Sequence, residues 1–213
     1  AIDAEQAEGG KQRYADCFDD LIGKSLVTRQ QADACATRFA VTCDYADIAD
    51  ADFIYECVFE NLEAKYAVYA MVEKHCSQYR ALASSTSAIS TDTLAEGVSD
   101  KTRLLTAHPC NPPHIVPFVE VVPGKDTSPD AVQLTYDLLE DVGRKVVVMK
   151  KSVPGFITNR LQHALFREAI HMVEEGIATP RDIDKTLTYS FIPRYTSIGI
   201  FEHIDYAGID LSV

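Results

Sequence analysis

The sequence predicts an α/β protein, with a doubly wound sheet over residues 1–152 and an all-helical region over residues 153–213. Two observations carry this. Up to residue 152, short β-prone apolar runs alternate with segments of helical period, the pattern of strands linked by crossover helices. After Pro154 the β-prone runs cease and only helical periodicity remains.

Taken in order, a polar helix is expected from Glu5 to about Lys24, and a second from Thr28 to Arg38, where Thr28-Arg29-Gln30-Gln31 resembles a capping box. FAVTCDY, residues 39–45, reads as a short strand, and the apolar run from Asp52 to Val58 as a buried parallel strand. From Asn61 the period changes: Leu62, Tyr66, Val68 or Tyr69, and Val72 recur at helical spacing. Ala81–Ser85, Leu104–Ala107 and Phe118–Val122 read as strands, with a short helix at Ser90–Glu96. Ser128 followed by Pro129 opens a helix that stops before Gly143, and Lys145–Met149 is the last strand. Beyond it, Ile157, Leu161, Leu165, Ala169 and Met172 line one face of a helix, and Thr179-Pro180-Arg181-Asp182 caps another. So long an apolar face calls for cover by further chain or a partner subunit.

The 213 residues are 46% hydrophobic and 24% charged, the composition of an ordinary globular protein. Lys+Arg 20 against Asp+Glu 32 gives a net charge of -12, which repels nucleic acid and anionic membrane surfaces. No apolar run approaches the ~20 residues of a membrane span. The opening AIDAEQAEGGKQ lacks a signal pattern, so a cytoplasmic location is expected. The six cysteines, at 17, 35, 43, 57, 76 and 110, show no CxxC pair and no metal is expected. They read as reduced core thiols, with only Cys57 and Cys110 placed where a ligand passes.

In open parallel sheets ligands bind beyond the carboxyl ends of strands, which points to Glu60-Asn61, Thr86-Ser87 and His108 to Asn111. His108 stands apart from the other five histidines, because it follows an apolar strand and enters a proline-rich segment, Pro109 to Pro117. Glu120 sits inside an apolar strand, where an unpaired carboxylate is costly. Its partner is either a lysine or arginine, or a histidine whose tautomer it fixes, and spacing alone does not choose. Asn159, at the start of the helix after Pro154-Gly155, reads as a cap, and Lys65 as a solvated helix lysine.

SSTS at 84–87, HPCNPP at 108–113, VEVVPG at 119–124 and PGFITNR at 154–160, with ECVFENLEAK at 56–65 and FEHIDYAGIDL at 201–211, resemble the L-3-hydroxyacyl-CoA dehydrogenases. The resemblance implies a Rossmann-like, NAD-binding domain at 1–152 and a helical substrate and dimerisation domain at 153–213, each incomplete. GxGxxG is absent, so the first strand–helix unit is expected to be missing, the chain to be a fragment, and NAD to bind it weakly. Ala1 or Asp3 would fall near the family's ribose-binding acid.

By the same resemblance Ser87, His108, Glu120 and Asn159 are catalytic, and Cys57, Glu60, Lys65, Ser87 and Asn111 surround the nicotinamide half of the cofactor. The implied reaction is NAD-dependent, reversible oxidation of an L-3-hydroxyacyl-CoA by a homodimer, as in fatty acid metabolism. His108 would be the general base, oriented by Glu120 as a buried acid orients the base of a hydrolase triad. A free imidazole, with a pKa of ~6.5, suits proton transfer near neutrality. The related L-gulonate 3-dehydrogenases and lambda-crystallins share SSTS and an arginine-tyrosine pair resembling Arg194-Tyr195. Sugar-acid oxidation and a non-catalytic, crystallin-like role are thus the alternatives.

Overall fold

The computed structural model describes residues 3–208, and the chain divides into two compact units, Ala1–Phe156 and Ile157–Val213. Ala1, proposed beside a ribose site, and Ile209–Leu211 of the last motif lie outside the described residues. Asp3 is the N-cap of the first helix, its carboxylate accepting from the Gln6 amide at 2.8 Å.

The first unit starts with α1 (Ala4–Gly23) and α2 (Arg29–Ala36), the latter opened by the Thr28/Gln31 capping box. Residues 39–45 form no strand, contrary to the expectation from their β-prone sequence. Local contacts take this segment instead: Phe39 stacks on Tyr14 at 3.8 Å between ring centroids. Asp44 caps a 3-10 turn, Tyr45–Ile48, by accepting from the Ala46 amide at 2.9 Å. Short polar side chains that bond nearby backbone compete with a ladder in this way.

The sheet follows as β1 (Phe53–Glu56), β2 (Ala81–Ser84), β3 (Leu104–Pro109), β4 (Phe118–Pro123) and β5 (Lys145–Val148), in that spatial order. All neighbours are parallel except β3 and β4, which pair antiparallel. β1 is less buried than its apolar sequence predicts, because it lies at the sheet edge with Tyr55 41% exposed. The helices α3 (Leu62–His75), α4 (Thr91–Leu94) and α5 (Pro129–Asp141) are opened by side-chain caps from Asn61, Ser90 and Ser128.

Strand alternation divides the core. Leu82 and Leu104 join Tyr69, Val72 and Leu94 in one cluster, whereas Ala81, Ala83, Leu105 and Ala107 join Val119, Val121 and Ala131 in another. Each fully buried aliphatic side chain stabilises by roughly 1.5–3 kcal/mol before entropy is subtracted.

The second unit holds α6 (Thr158–Glu174), α7 (Pro180–Tyr189), α8 (Phe191–Arg194) and α9 (Ile200–Ala207). The Thr179/Asp182 capping box opens α7 as its sequence predicts. On α6, Leu165, Ala169 and Met172 are half-buried, while Leu161, Phe166 and Ile170 stay exposed. Among the described residues no helix is long and apolar enough to cross a membrane.

Candidate active site

Because β1, β2 and β3 are parallel, their carboxyl ends share one edge of the sheet, and β4 begins at that edge. Cys57, Ser87 and Asn111, which follow these strands, are all exposed there. His108 lies within β3 and not after it, since pairing with β4 extends the strand to Pro109. Its register partner is Glu120. Directly opposed residues share a face of the sheet with Cβ atoms ~4.5–5.5 Å apart, so the backbone delivers the two side chains to each other.

His108 Nδ1 stands 2.8 Å from Glu120 Oε2, with the histidine 7% exposed and the glutamate fully buried. The structure thus puts a histidine against Glu120, the choice that spacing left open. An ionised carboxylate can only accept, so opposite ionised Glu120 the proton belongs on Nδ1, and a neutral ring then leaves a lone pair on Nε2. Such a charge-assisted bond is roughly twice as strong as a neutral one.

Behind the imidazole lies Phe156, its ring centroid 5.3 Å away and its side chain fully buried against Val122 and Met149. Gly155 and Phe156 both have positive φ, 76° and 50°. Glycine accepts that conformation freely, whereas for phenylalanine it costs roughly 1–2 kcal/mol. Burial of the ring, worth roughly 1.5–3 kcal/mol, offsets the cost. The result is an apolar wall on one side of His108.

The serine loop after β2 is gathered by Glu60. Its Oε1 accepts from the Thr86 hydroxyl at 2.5 Å and from the Ser87 and Ala88 amides at 3.0 Å each. Burial pushes this carboxyl up, but those hydrogen bonds and nearby Lys65 together hold it below the usual carboxylate range. Lys65 is not the solvated lysine its helical position suggested. Fully buried, its Nζ lies 2.9 and 3.0 Å from the Glu56 oxygens, 3.5 Å from Ser84 Oγ and 3.5 Å from Glu60 Oε2.

Glu56, which sequence reasoning passed over, is the centre of that network. Tyr69 and Ser84 hydroxyls donate to it at 3.1 and 2.7 Å and the Val58 amide at 2.7 Å. An acid inside an apolar strand was the signal that singled out Glu120, and it marks Glu56 equally. Burial, reinforced by the Glu56 charge, raises the Tyr69 phenol well above its ordinary value.

Two other expectations change. Of the six free cysteines only Cys76 is buried; Cys43 and Cys57 are exposed, because each falls outside the regular elements. Partial burial still pushes the Cys57 thiol up, so it is protonated at neutral pH. Asn159 is not a cap: α6 starts at Thr158 after Ile157, which makes no side-chain capping bond, and Asn159 sits inside the first turn of the second unit.

Residues 1–152 match the profile of the 3-hydroxyacyl-CoA dehydrogenase NAD binding domain, and residues 155–213 that of the 3-hydroxyacyl-CoA dehydrogenase C-terminal domain. The chain belongs to the 3-hydroxyacyl-CoA dehydrogenase family. NAD is the cofactor of that family's Rossmann-like domain. Among curated relatives, a lambda-crystallin homolog of Bos taurus is 39% identical over 158 residues, covering 73% of this chain and 49% of the relative. The 5-formyl-3-hydroxy-2-methylpyridine 4-carboxylate 5-dehydrogenase of Mesorhizobium japonicum is 37% identical over 171 residues, covering 80% and 55%. The chain thus spans about half the length of these relatives. The solved (S)-3-hydroxybutyryl-CoA dehydrogenase of Ralstonia eutropha superposes with a TM-score of 0.83 at 26% identity, covering 88% of this chain and 66% of that one. Family members therefore carry names with unlike substrates, while the fold is shared.

Proposed function

We propose that the protein to which this chain belongs oxidises an L-3-hydroxyacyl-CoA reversibly to the 3-oxoacyl-CoA, with residues 1–152 holding NAD and residues 153–213 serving substrate binding and dimerisation. The observation that carries this reading is the in-register, hydrogen-bonded pair His108–Glu120 at the site edge of the sheet. His108 Nε2 takes the proton from the substrate 3-hydroxyl, and Glu120 stabilises the imidazolium that results. In the reduction direction the same nitrogen returns the proton. Ser87 and Asn159 hydrogen-bond the reacting oxygen, and Phe156 keeps water from one side of the base.

Bound NAD supplies the hydride acceptor. The exposed side chains of Cys57, Glu60, Ser87 and Asn111 fit a nicotinamide moiety, being short polar groups on the carboxyl edge of the parallel strands. Lys65 offers that moiety no exposed atom and contributes from beneath, through Glu56 and Glu60.

A second reading, oxidation of a sugar acid such as L-gulonate, draws support from the SSTS motif at 84–87, by which the chain resembles the L-gulonate 3-dehydrogenases. Full-length protein assayed for NADH formation with a 3-hydroxyacyl-CoA series and with L-gulonate decides between them. Turnover of thioesters and not of L-gulonate is expected; the reverse result overturns the acyl-CoA reading.

A further inference from the structure

Glu60 stands apart from the other residues at this edge, because a single oxygen of its carboxylate serves three donors from one loop. Thr86 Oγ1, the Ser87 amide and the Ala88 amide all converge on Oε1. The other oxygen faces Lys65 at 3.5 Å, and Lys65 is itself clamped at 2.9 and 3.0 Å by the fully buried Glu56. Glu56 takes a further bond from Ser84, at the end of the strand that leads into the same loop, at 2.7 Å. The loop is therefore tied at both its start and its turn to one acid–lysine–acid chain that reaches into the core. Thr86 adds local order, its hydroxyl oxygen accepting from the Ile89 amide at 3.0 Å.

We propose that Glu60 is a positioning residue: braced by Lys65 from buried Glu56, its carboxylate gathers Thr86, Ser87 and Ala88 and fixes the loop that presents Ser87 to substrate. This deepens the function proposed above and rests on its reading of Ser87 as a substrate-binding group. A carboxylate acting only as an acceptor has an isosteric stand-in. Glutamine can keep its amide oxygen at the Oε1 position and so retain all three bonds, while its amide nitrogen, a donor, replaces the oxygen that attracted Lys65. Alanine loses everything.

The test compares Glu60→Gln and Glu60→Ala in the full-length protein. Amide hydrogen exchange is followed across residues 84–90, with kcat, KM and NAD affinity measured alongside. Glu60→Ala is expected to speed exchange at Ser87 and Ala88 by about tenfold or more, since local opening governs such rates. It should also lower kcat by roughly 10- to 100-fold, the scale set by a misplaced substrate contact. Glu60→Gln should restore both towards wild type, and NAD affinity, titrated alongside, reads separately what either variant takes from the nicotinamide contact given to Glu60 above. Unchanged exchange in Glu60→Ala overturns the inference. So does Glu60→Gln failing as completely as Glu60→Ala, which would make the negative charge, and not the acceptor geometry, the active element. Faster exchange in Glu60→Ala with unaltered turnover supports the loop assignment and overturns the role given to Ser87. The exchange measurement reads the loop even when no thioester is turned over, so failure of the two readings is distinguishable.

Discussion

Replacing Lys65 by methionine isolates the contribution of the buried pair beneath the site. Lys65 and Glu56 are both without solvent exposure, and Nζ contacts both carboxylate oxygens at 2.9 and 3.0 Å. Salt and water therefore screen this pair little. Removing one partner of a buried ion pair costs roughly 3–5 kcal/mol, most of it the penalty of the stranded charge. Glu56 keeps the Tyr69, Ser84 and Val58 donors, so the lower end, about 3 kcal/mol, is expected. The double variant Lys65→Met/Glu56→Gln strands no charge and should recover a large part of that loss, giving a coupling energy of about 1–3 kcal/mol of the opposite sign. Urea denaturation followed by far-ultraviolet circular dichroism measures the shift in midpoint at constant slope. A Lys65→Met variant within about 1 kcal/mol of wild type refutes the reasoning. A double variant less stable than Lys65→Met alone refutes it as well.

Other outcomes follow from the same geometry. His108→Gln should lower kcat by roughly 10²- to 10⁴-fold while leaving NAD affinity unaltered, because the base acts on the substrate proton; steady-state kinetics with equilibrium NAD titration separate the two. Glu120→Gln should be the milder lesion in the same assay, since an amide oxygen still accepts from Nδ1 but no longer balances an imidazolium. Gly97→Ala should destabilise by roughly 1–3 kcal/mol in urea. Its Cβ would lie 2.1 Å from Tyr66 Cδ1, and the Tyr66 hydroxyl is anchored on the Thr93 carbonyl at 2.7 Å. The folded-state depression of the Glu60 pKa adds stability that is complete above the ordinary carboxylate range, ~4.3, and vanishes as pH falls through the folded value below it. Denaturation of wild type and Glu60→Gln should therefore differ most near neutrality and converge in acid.

The periodicity and capping signals located the elements well wherever both agreed. Ser128-Pro129 opens α5 and Thr179/Asp182 opens α7, because these caps depend on a few neighbouring residues. Residues 39–45 misled, since β propensity speaks to fit on a pleated surface and is silent on whether a neighbouring strand is there to pair with. An acid inside an apolar strand called for a partner, the family resemblance named His108 as that partner, and β3 and β4 supply the hydrogen bond by register. The burial of Lys65 was not legible. Its fate depends on Glu56, nine positions earlier in the chain and on a different element, a pairing that neither helical nor strand period encodes. Glu56 itself was legible by the argument already applied to Glu120. Phe156 lay hidden for another reason: nothing in a sequence tells that a phenylalanine will accept a positive φ to reach its pocket.

The direct opposition of His108 and Glu120 across β3 and β4 separates what the site must keep from what it can alter. Two rungs of one ladder set the distance between base and acid, and the segment joining them, Cys110 to Pro117, takes no part in setting it. That joining segment carries exposed Asn111, given to the nicotinamide above, and exposed Ile115. On the proposed function, its side chains other than Asn111 can therefore be exchanged to suit another substrate while His108 and Glu120 stay in register. For engineering, the proposed function makes residues 112–117 the place to graft new specificity, with the two strands left as an untouched frame.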